Sequence, residues 1–96
     1  MGDSERDGER TVRLRVRYLS AVRDRTGMRE ESVELPQGSR LRELAAWLAR
    51  ERGLKLPDPL VMATLNGKGW FQYPEGLDAE IREADEVALF PIVMGG

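Results

Sequence analysis

The chain ends in two glycines, Gly95 and Gly96, directly after a short apolar segment that contains Pro91. Glycine has no Cβ, so a terminal glycine pair is thin enough to enter an active site that a larger side chain would block. The chemical group at its end is the main-chain carboxylate of Gly96. We interpret the pair as the working end of a carrier that another enzyme activates. Two terminal glycines arise by chance in roughly one chain in 200, so the pair alone is only suggestive.

Catalytic side chains of the usual kinds are missing from the sequence. It contains no cysteine and no histidine, which excludes thiol nucleophiles, disulfides, the usual zinc sites and the commonest general base. The serines and threonines have no histidine to activate them, and the two lysines, Lys55 and Lys68, have no suggestive neighbour. We expect a non-catalytic protein without a metal or bound cofactor, rather than an autonomous hydrolase or metalloenzyme.

Length and composition fit one small globular domain. The 96 residues are 41% hydrophobic and 33% charged, which is too apolar for a disordered chain. No apolar run is long enough for a transmembrane helix, and residues 1–10 lack the apolar segment of a secretory signal. We therefore expect a cytoplasmic protein without a membrane partner, and we predict that residues 1–10 form a flexible tail.

Charge is distributed unevenly along the chain. Residues 1–57 carry 13 basic and 10 acidic side chains, a net charge of +3, whereas residues 58–96 carry 2 and 7, a net charge of −5. Acidic surface around the C-terminal glycines would steer them toward a basic partner, but a solvated acidic face explains the same counts. The overall charge of −2 argues against a nucleic-acid partner.

Apolar periodicity predicts the first two strands and the main helix. Apolar residues alternate with three arginines between Thr11 and Tyr18, which indicates a half-buried strand with a solvated arginine face. A second strand is predicted at residues 31–35. The helix then begins after Ser39 as N-cap and ends before Gly53, and its apolar face consists of Leu41, Leu44, Ala45 and Leu48.

Three more strands are predicted after the helix. Leu60 to Leu65 forms the third strand and the aromatic segment from Trp70 to Tyr73 forms the fourth. The run from Val87 to Phe90 is the most continuously apolar in the chain, so we place it in the sheet interior. Pro91 is predicted to end its pairing because proline has no N–H.

The order ββαβββ favours one arrangement of these elements. The helix crosses one face of the sheet, and the apolar first and last strands lie adjacent and parallel at its centre, joined by a right-handed crossover. This is the ubiquitin-like β-grasp, an α+β fold with a mixed sheet of four to five strands and one main helix. We predict that residues 11–90 form this domain and that residues 91–96 form a protruding C-terminal tail.

A short motif at the C-terminus points to a known family. Residues 85–96 read D-E-V-A-L-F-P-I-V-M-G-G, which resembles the signature D-E-V-A-x-F-P-P-V-x-G-G of the MoaD/ThiS sulfur carriers and is most similar to that of molybdopterin synthase small subunits. Residues 65–67 and 18–27 resemble the family's V-N-G and F-A-x-x-R-E-x-x-G segments. The resemblance spans residues 11–96, with Ala84 where a glycine commonly stands and Ile92 in place of a proline.

The resemblance implies a mechanism and two partners. An adenylating enzyme of the ubiquitin-activating type uses ATP to adenylate the Gly96 carboxylate, and a sulfur donor converts it to a thiocarboxylate. The large catalytic subunit of molybdopterin synthase then receives the tail, and the sulfur passes to a pterin precursor. On this view Gly96 carries the sulfur and Gly95 supplies clearance, and the partner binds the apolar segment made of Phe90, Pro91, Ile92, Val93 and Met94. Core packing is the alternative role for Phe90.

Three other functions remain open at this point. A carrier of the same family would serve another pathway, such as one leading to thiamine thiazole, cysteine or a siderophore-like metabolite. A ubiquitin-like modifier would attach Gly96 to lysines of target proteins, because the activation chemistry is shared. A β-grasp binding module would carry the glycine pair only by coincidence.

Overall fold

The computed structural model describes residues 10–92 of the chain and contains a five-stranded sheet. Two short 3-10 turns, Trp70–Gln72 and Gly76–Asp78, lie between the last two strands. The strands and helices are, in chain order, β1 (Thr11–Tyr18), α1 (Ala21–Thr26), β2 (Glu30–Pro36), α2 (Leu41–Arg52), β3 (Val61–Leu65), β4 (Lys68–Gly69) and β5 (Glu86–Pro91).

The first and last strands are neighbours at the centre of the sheet, as predicted. The strand order is β2-β1-β5-β3-β4. β1 and β5 are parallel, with Arg15 opposite Glu86 and Tyr18 opposite Leu89, and β2 and β3 flank them in antiparallel orientation. This is the predicted β-grasp arrangement. The C-terminal end of β5 therefore lies between β1 and β3, at the centre of one end of the sheet.

The hydrophobic core follows the periodicity of the sequence. Every second residue of β1 is buried, and the four predicted apolar residues of α2 are all buried. Val87 and Leu89 of β5 are fully buried in the same core. Because side chains alternate along a strand, the other residues of β1 and β5 point to the opposite side of the sheet, which we call the open face.

The helix α2 begins one residue later than predicted. Its N-cap is Arg40 rather than Ser39, so that prediction is wrong. The Arg40 N–H donates to the Glu43 carboxylate at 2.6 Å, which satisfies the first free amide of the helix. Ser39 is buried, and its carbonyl accepts from the N–H of Ile81 at 2.9 Å. The end of α2 is as predicted, with Gly53 in the left-handed conformation (φ +69°).

The aromatic segment after β3 is not a strand. β4 lies at Lys68–Gly69, and Trp70–Gln72 form a 3-10 turn, so the prediction of a strand from Trp70 to Tyr73 is wrong. The Gln72 side chain accepts from the N–H of Gly69 at 3.1 Å, which closes the turn locally. Within this turn Trp70 is 1% exposed and enters the core.

The pairing of β5 extends past Phe90, contrary to prediction. Pro91 lies opposite Val61 within β5, and the Ile92 N–H donates to the Leu60 carbonyl at 3.0 Å. Successive amides of a strand point to opposite neighbours, so the missing donor of Pro91 faces the β1 side, where β1 has already ended. Proline therefore interrupts no bond to β3.

The predicted terminal tails lie mostly outside the described residues. Residues 1–9 and 93–96 are outside them. At the N-terminus only Arg10 is described, and its carbonyl accepts from the N–H of Gln37 at 2.9 Å. At the C-terminus the first two residues of the predicted tail, Pro91 and Ile92, pair with the sheet.

Ala84 adopts a conformation that glycine prefers, and this yields a prediction. Its φ is +69°, a left-handed geometry that costs a non-glycine residue about 1–2 kcal/mol. Glycine removes this cost but adds about 0.4–1 kcal/mol of unfolded-state entropy. We expect Ala84→Gly to raise the free energy of unfolding by about 0.5–1 kcal/mol, measured by urea denaturation. The control is Ala79→Gly, where φ is −63° and the change should destabilise. A less stable Ala84→Gly protein would contradict the prediction.

Candidate functional site

The C-terminal end of β5 is held on both sides by its neighbouring strands. On the β1 side, the Leu19 N–H donates to the Leu89 carbonyl at 3.0 Å. On the β3 side, Phe90 lies opposite Met62 and Ile92 bonds to Leu60. The backbone that leads to the predicted reactive group is therefore fixed as far as Ile92. The remaining predicted site residues, Val93, Met94, Gly95 and Gly96, lie outside the described residues.

Phe90 belongs to the open face and not to the core. Its neighbour Leu89 is fully buried beneath the sheet, so Phe90 points to the other side. It is half-buried there, next to its cross-strand partner Met62. The core-packing alternative for Phe90 therefore does not hold, and its role in partner binding stays a prediction.

Large apolar side chains surround the end of β5 on the β3 side. Among the described residues, the exposed large hydrophobic side chains are Leu60 (64% exposed), Met62 (39%) and Phe71 (62%). With Phe90 and Ile92 we call these residues the apolar rim. The sequence analysis did not select Leu60, Met62 or Phe71 as site residues. Alternation along the third strand could have identified two of them. If Val61, Ala63 and Leu65 face the core, Leu60 and Met62 must face the other side of the sheet.

An apolar groove of about 500 Å³ opens beside the rim. Met62, Phe71 and Ile92 of the rim lie on its border, so groove and rim form one continuous apolar surface. Clusters of exposed apolar residues of this kind mark interaction sites in small proteins. The other apolar side chains that line the groove are Leu56, Pro57, Pro59, Val61, Ala63 and Trp70.

A polar network supports the same end of the sheet from the helix side. The Tyr18 hydroxyl donates to the Glu31 carboxylate at 2.5 Å, and Arg52 donates to both oxygens of Glu31 at 2.7 and 2.6 Å. The guanidinium of Arg52 also lies 5.0 Å from the ring centroid of Trp47. The network thus ties the end of β1 and the start of β2 to the last turn of α2.

The network perturbs the pKa values of its members. Hydrogen bonds from Arg52 hold the pKa of the Glu31 carboxyl below its ordinary value, although burial opposes this shift. Burial, reinforced by the neighbouring Glu31, raises the pKa of Tyr18. Glu31 is therefore ionised and Tyr18 is neutral at neutral pH, which is the state in which the hydroxyl donates to the carboxylate.

Glu31 should make stability depend on pH. Because its pKa is depressed in the folded state, its contribution is present above the unfolded value of about 4.3 and is lost as the pH falls through the folded value. We expect Glu31→Gln to lower the free energy of unfolding by about 1–3 kcal/mol at neutral pH, measured by urea denaturation. At pH values below the pKa of Glu31 in the folded protein, the difference in free energy of unfolding between the variant and the wild-type protein should shrink.

The control for this prediction is Glu34→Gln. Glu34 pairs with Arg13 at 2.8 Å, but both side chains are more than half exposed, so the change should cost less than about 1 kcal/mol. A deficit of Glu31→Gln that stays constant from neutral to acidic pH would contradict the prediction.

Comparison with known proteins identifies the family. The model of the ThiS family matches residues 16–96. The chain belongs to the ThiS family. The match includes all of β5, the apolar rim and the terminal glycine pair, and it confirms the resemblance to the MoaD/ThiS sulfur carriers. No curated protein matches the sequence of this ThiS-family protein at a significant level.

Solved structures share the fold of this ThiS-family protein. The putative molybdopterin converting factor, subunit 1, from Pyrococcus furiosus is 27% identical with a TM-score of 0.70, over 85% of this chain and 99% of that one. Small archaeal modifier protein 1 from Methanosarcina acetivorans is 18% identical with a TM-score of 0.70, over 91% and 99%. A complex of subunits 1 and 2 of the molybdopterin-converting factor from Helicobacter pylori matches at 22% identity and a TM-score of 0.61, over 88% and 100%.

Most acidic residues of the second half lie where β5 begins, not where it ends. There the Glu83 carboxylate accepts from the backbone N–H of Arg13 at 2.9 Å, and Asp78 pairs with Arg42 at 2.7 Å. Asp58 is the exception, because its carboxylate accepts from the N–H of Leu60 at 2.8 Å, next to Ile92. β5 itself separates this end of the sheet from Ile92 by about 20 Å at 3.3 Å per residue. For the described residues, the solvated acidic face therefore accounts for most of this negative charge, and Asp58 is the acidic side chain placed beside the end of β5.

The arginines of β1 lie on the solvated open face, as predicted. Arg13 pairs with Glu34 at 2.8 Å, and Arg17 pairs with Glu86 at 3.3 Å. Within residues 10–92, no group of three or more acidic side chains is arranged to hold a metal ion. In the same residues, no helix is both long and apolar enough to cross a membrane.

Proposed function

We propose that this ThiS-family protein carries sulfur for molybdopterin synthesis and that its reactive group is the Gly96 carboxylate. The observation that carries the proposal is the family match, because it runs through the glycine pair to residue 96. The pathway is supported by the Pyrococcus furiosus protein, a putative molybdopterin converting factor, subunit 1, which is aligned over 99% of its length. We place the reaction in the cytoplasm as part of the proposal.

The proposed chemistry has two steps at one carbon atom. A carboxylate is a poor acyl donor, so an adenylating enzyme first joins the Gly96 carboxylate to AMP and releases pyrophosphate from ATP. A sulfide equivalent from a sulfur donor then attacks the carbonyl carbon. The new C–S bond forms as the C–O bond to AMP breaks, and AMP leaves. The product is a thiocarboxylate, whose nucleophilic sulfur requires no cysteine in the carrier.

The fold supports this role by fixing the base of the reactive segment. Hydrogen bonds from both neighbouring strands hold β5, and Ile92 bonds to Leu60 at 3.0 Å. The four residues from Val93 to Gly96 reach at most about 14 Å beyond that point. A partner that binds the surface around β5 therefore also determines where the carboxylate can go, and Gly95 leaves room for it to enter a narrow site.

We propose that the apolar rim is the surface on which the partners dock. Leu60, Met62 and Phe71 are exposed although they are large and apolar; aromatic side chains and methionine are enriched at protein interfaces, and exposed apolar patches mark interaction sites. The Helicobacter pylori structure is a complex of subunits 1 and 2, which supports a large catalytic subunit as one partner. The adenylating enzyme is the other.

A protein modifier is the alternative function. The similarity to small archaeal modifier protein 1 favours it, because a β-grasp protein with an activated terminal glycine can acylate lysines as well as accept sulfur. A carrier for another pathway remains the second alternative.

Intact-mass measurement separates these functions. The protein is incubated with ATP, a sulfide source and the adenylating enzyme of its own organism, with omission of ATP as the control. A mass increase equal to the difference between sulfur and oxygen supports the carrier, and co-purification with a large molybdopterin synthase subunit supports the pathway. Conjugates of higher mass on other proteins would favour the modifier. If neither product forms, the proposal is wrong.

A further inference from the structure

We propose that three arginines beside the end of β5 form a second docking element, which binds carboxylates of the protein that activates the Gly96 terminus. The inference rests on the proposed function and names the chemistry of its partner surface. The arginines lie around a hollow of about 360 Å³, whose lining residues are Arg17, Tyr18, Leu19, Arg23, Arg29 and Glu30. We call it the arginine hollow.

The arginine hollow contains two guanidinium groups without a partner. Arg17 is balanced by Glu86 at 3.3 Å and by Glu30 at 3.9 Å. Within residues 10–92, the side chains of Arg23 and Arg29 make no hydrogen bond or ion pair, and both are exposed. Positive charge at this site is therefore available to a binding partner.

The position of the hollow connects it to the proposed function. Leu19, in its lining, donates its N–H to the carbonyl of Leu89 at 3.0 Å, one residue before Phe90. The end of β5 consequently has the apolar rim on its β3 side and the arginine hollow on its β1 side. A protein that encloses residues 93–96 approaches both surfaces at once.

The chemistry of the hollow favours carboxylates as its ligands. Guanidinium groups bind carboxylates through paired, charge-assisted hydrogen bonds. Glu30 lies in the same hollow and the whole chain carries a net charge of −2, which disfavours a polyanion such as nucleic acid. Charges beside an apolar contact mainly raise the association rate and set the orientation of docking. We infer that the activating enzyme presents acidic side chains on the β1 side of the bound terminus.

Charge reversal tests the inference in the activation reaction. The variants are Arg23→Glu, Arg29→Glu and the double change. The control is Arg82→Glu, which alters charge equally but lies at the far end of the sheet beside Asp85. Pyrophosphate release by the adenylating enzyme is measured as kcat/KM at ionic strengths of about 0.01 M and about 1 M. We expect each single variant to lose roughly tenfold in kcat/KM at low salt, with kcat unchanged and with most of the loss gone at high salt.

Each outcome decides the inference. Restoration of the rate by an acidic-to-arginine change on the enzyme surface would support it. Losses no larger than those of Arg82→Glu, or losses that do not depend on salt, would overturn it while the proposed function stands. If the double variant instead loses binding to a single-stranded oligonucleotide and keeps its activation rate, the hollow binds nucleic acid and the inference is wrong. If the wild-type protein is not activated at all, the proposed function fails, and the inference fails with it.

Discussion

Removal of Gly96 is expected to lower thiocarboxylate formation by at least about 100-fold and to leave the melting temperature unchanged. The deletion moves the terminal carboxylate back by one residue, about 3.5 Å, and a displacement of about 1 Å can already cost 100-fold in a positioned reaction. Gly95→Ala should have a similar effect, because its Cβ narrows the clearance that a tight site requires. The yield of product is measured by intact mass after reaction with the adenylating enzyme.

Stability should not change because the described core is complete before the glycines. Its last fully buried side chain is Leu89, and the last described hydrogen bond of the strand is that of Ile92. Deletion of residues 2–9 is the control for a shortened chain and should leave thiocarboxylate formation intact. A melting temperature lowered as strongly as by a core mutation would show that the terminal residues pack on the domain. Full activity without Gly96 would refute its role.

Two leucine-to-alanine substitutions should have different effects: Leu89→Ala should lower stability, and Leu60→Ala should weaken partner binding. Leu89 is fully buried at the centre of the sheet, and its truncation should lower the free energy of unfolding by about 2–5 kcal/mol because a cavity remains. Leu60 is 64% exposed, so Leu60→Ala should change stability by less than about 0.5 kcal/mol. We expect Leu60→Ala to weaken binding of the large subunit by roughly tenfold, because the change removes apolar area that the partner would bury.

Urea denaturation and titration calorimetry with the large subunit measure the two effects. Arg15→Ala is the control for position, because Arg15 is an exposed residue of the open face opposite Glu86, outside the rim and the groove, and the change should leave the affinity unchanged. If Leu60→Ala binds as tightly as the wild-type protein, the rim is not the docking surface. If Leu89→Ala is as stable as the wild-type protein, Leu89 does not have the core position assigned to it.

The predictions from sequence succeeded where a pattern repeats over many residues. The alternation in β1 and the helical spacing in α2 each involve at least four buried side chains, so one physical cause, burial of an apolar face, determines the whole element. The parallel pairing of β1 with β5 followed from the same cause, since two strongly apolar strands are buried best side by side at the centre.

The errors arose where one local contact decides the structure. Ser39 is a good N-cap by type, but the Glu43 carboxylate satisfies the Arg40 amide instead. Trp70 enters the core from a 3-10 turn that the Gln72 side chain closes. Pro91 remains in β5 because its missing N–H faces the side where β1 has ended. Each outcome depends on a specific partner that periodicity does not specify.

The sequence by itself determined the fold, the family and the candidate reactive group. The periods of the strands and of the helix specify the β-grasp because they reflect burial along each element. The terminal motif with Gly95 and Gly96 can be recognised in the amino-acid sequence alone. Only the tertiary structure decided what surrounds the end of β5. Leu60 and Met62 form a surface because nothing in the described chain covers the open face there. The acidic side chains between Glu75 and Glu86 lie about 20 Å away, where β5 begins. The reason is that β5 runs the length of the sheet. Acidic residues that precede β5 in the sequence therefore lie at the opposite end of the sheet from the terminus, while arginines from the first third of the chain lie beside the end of β5.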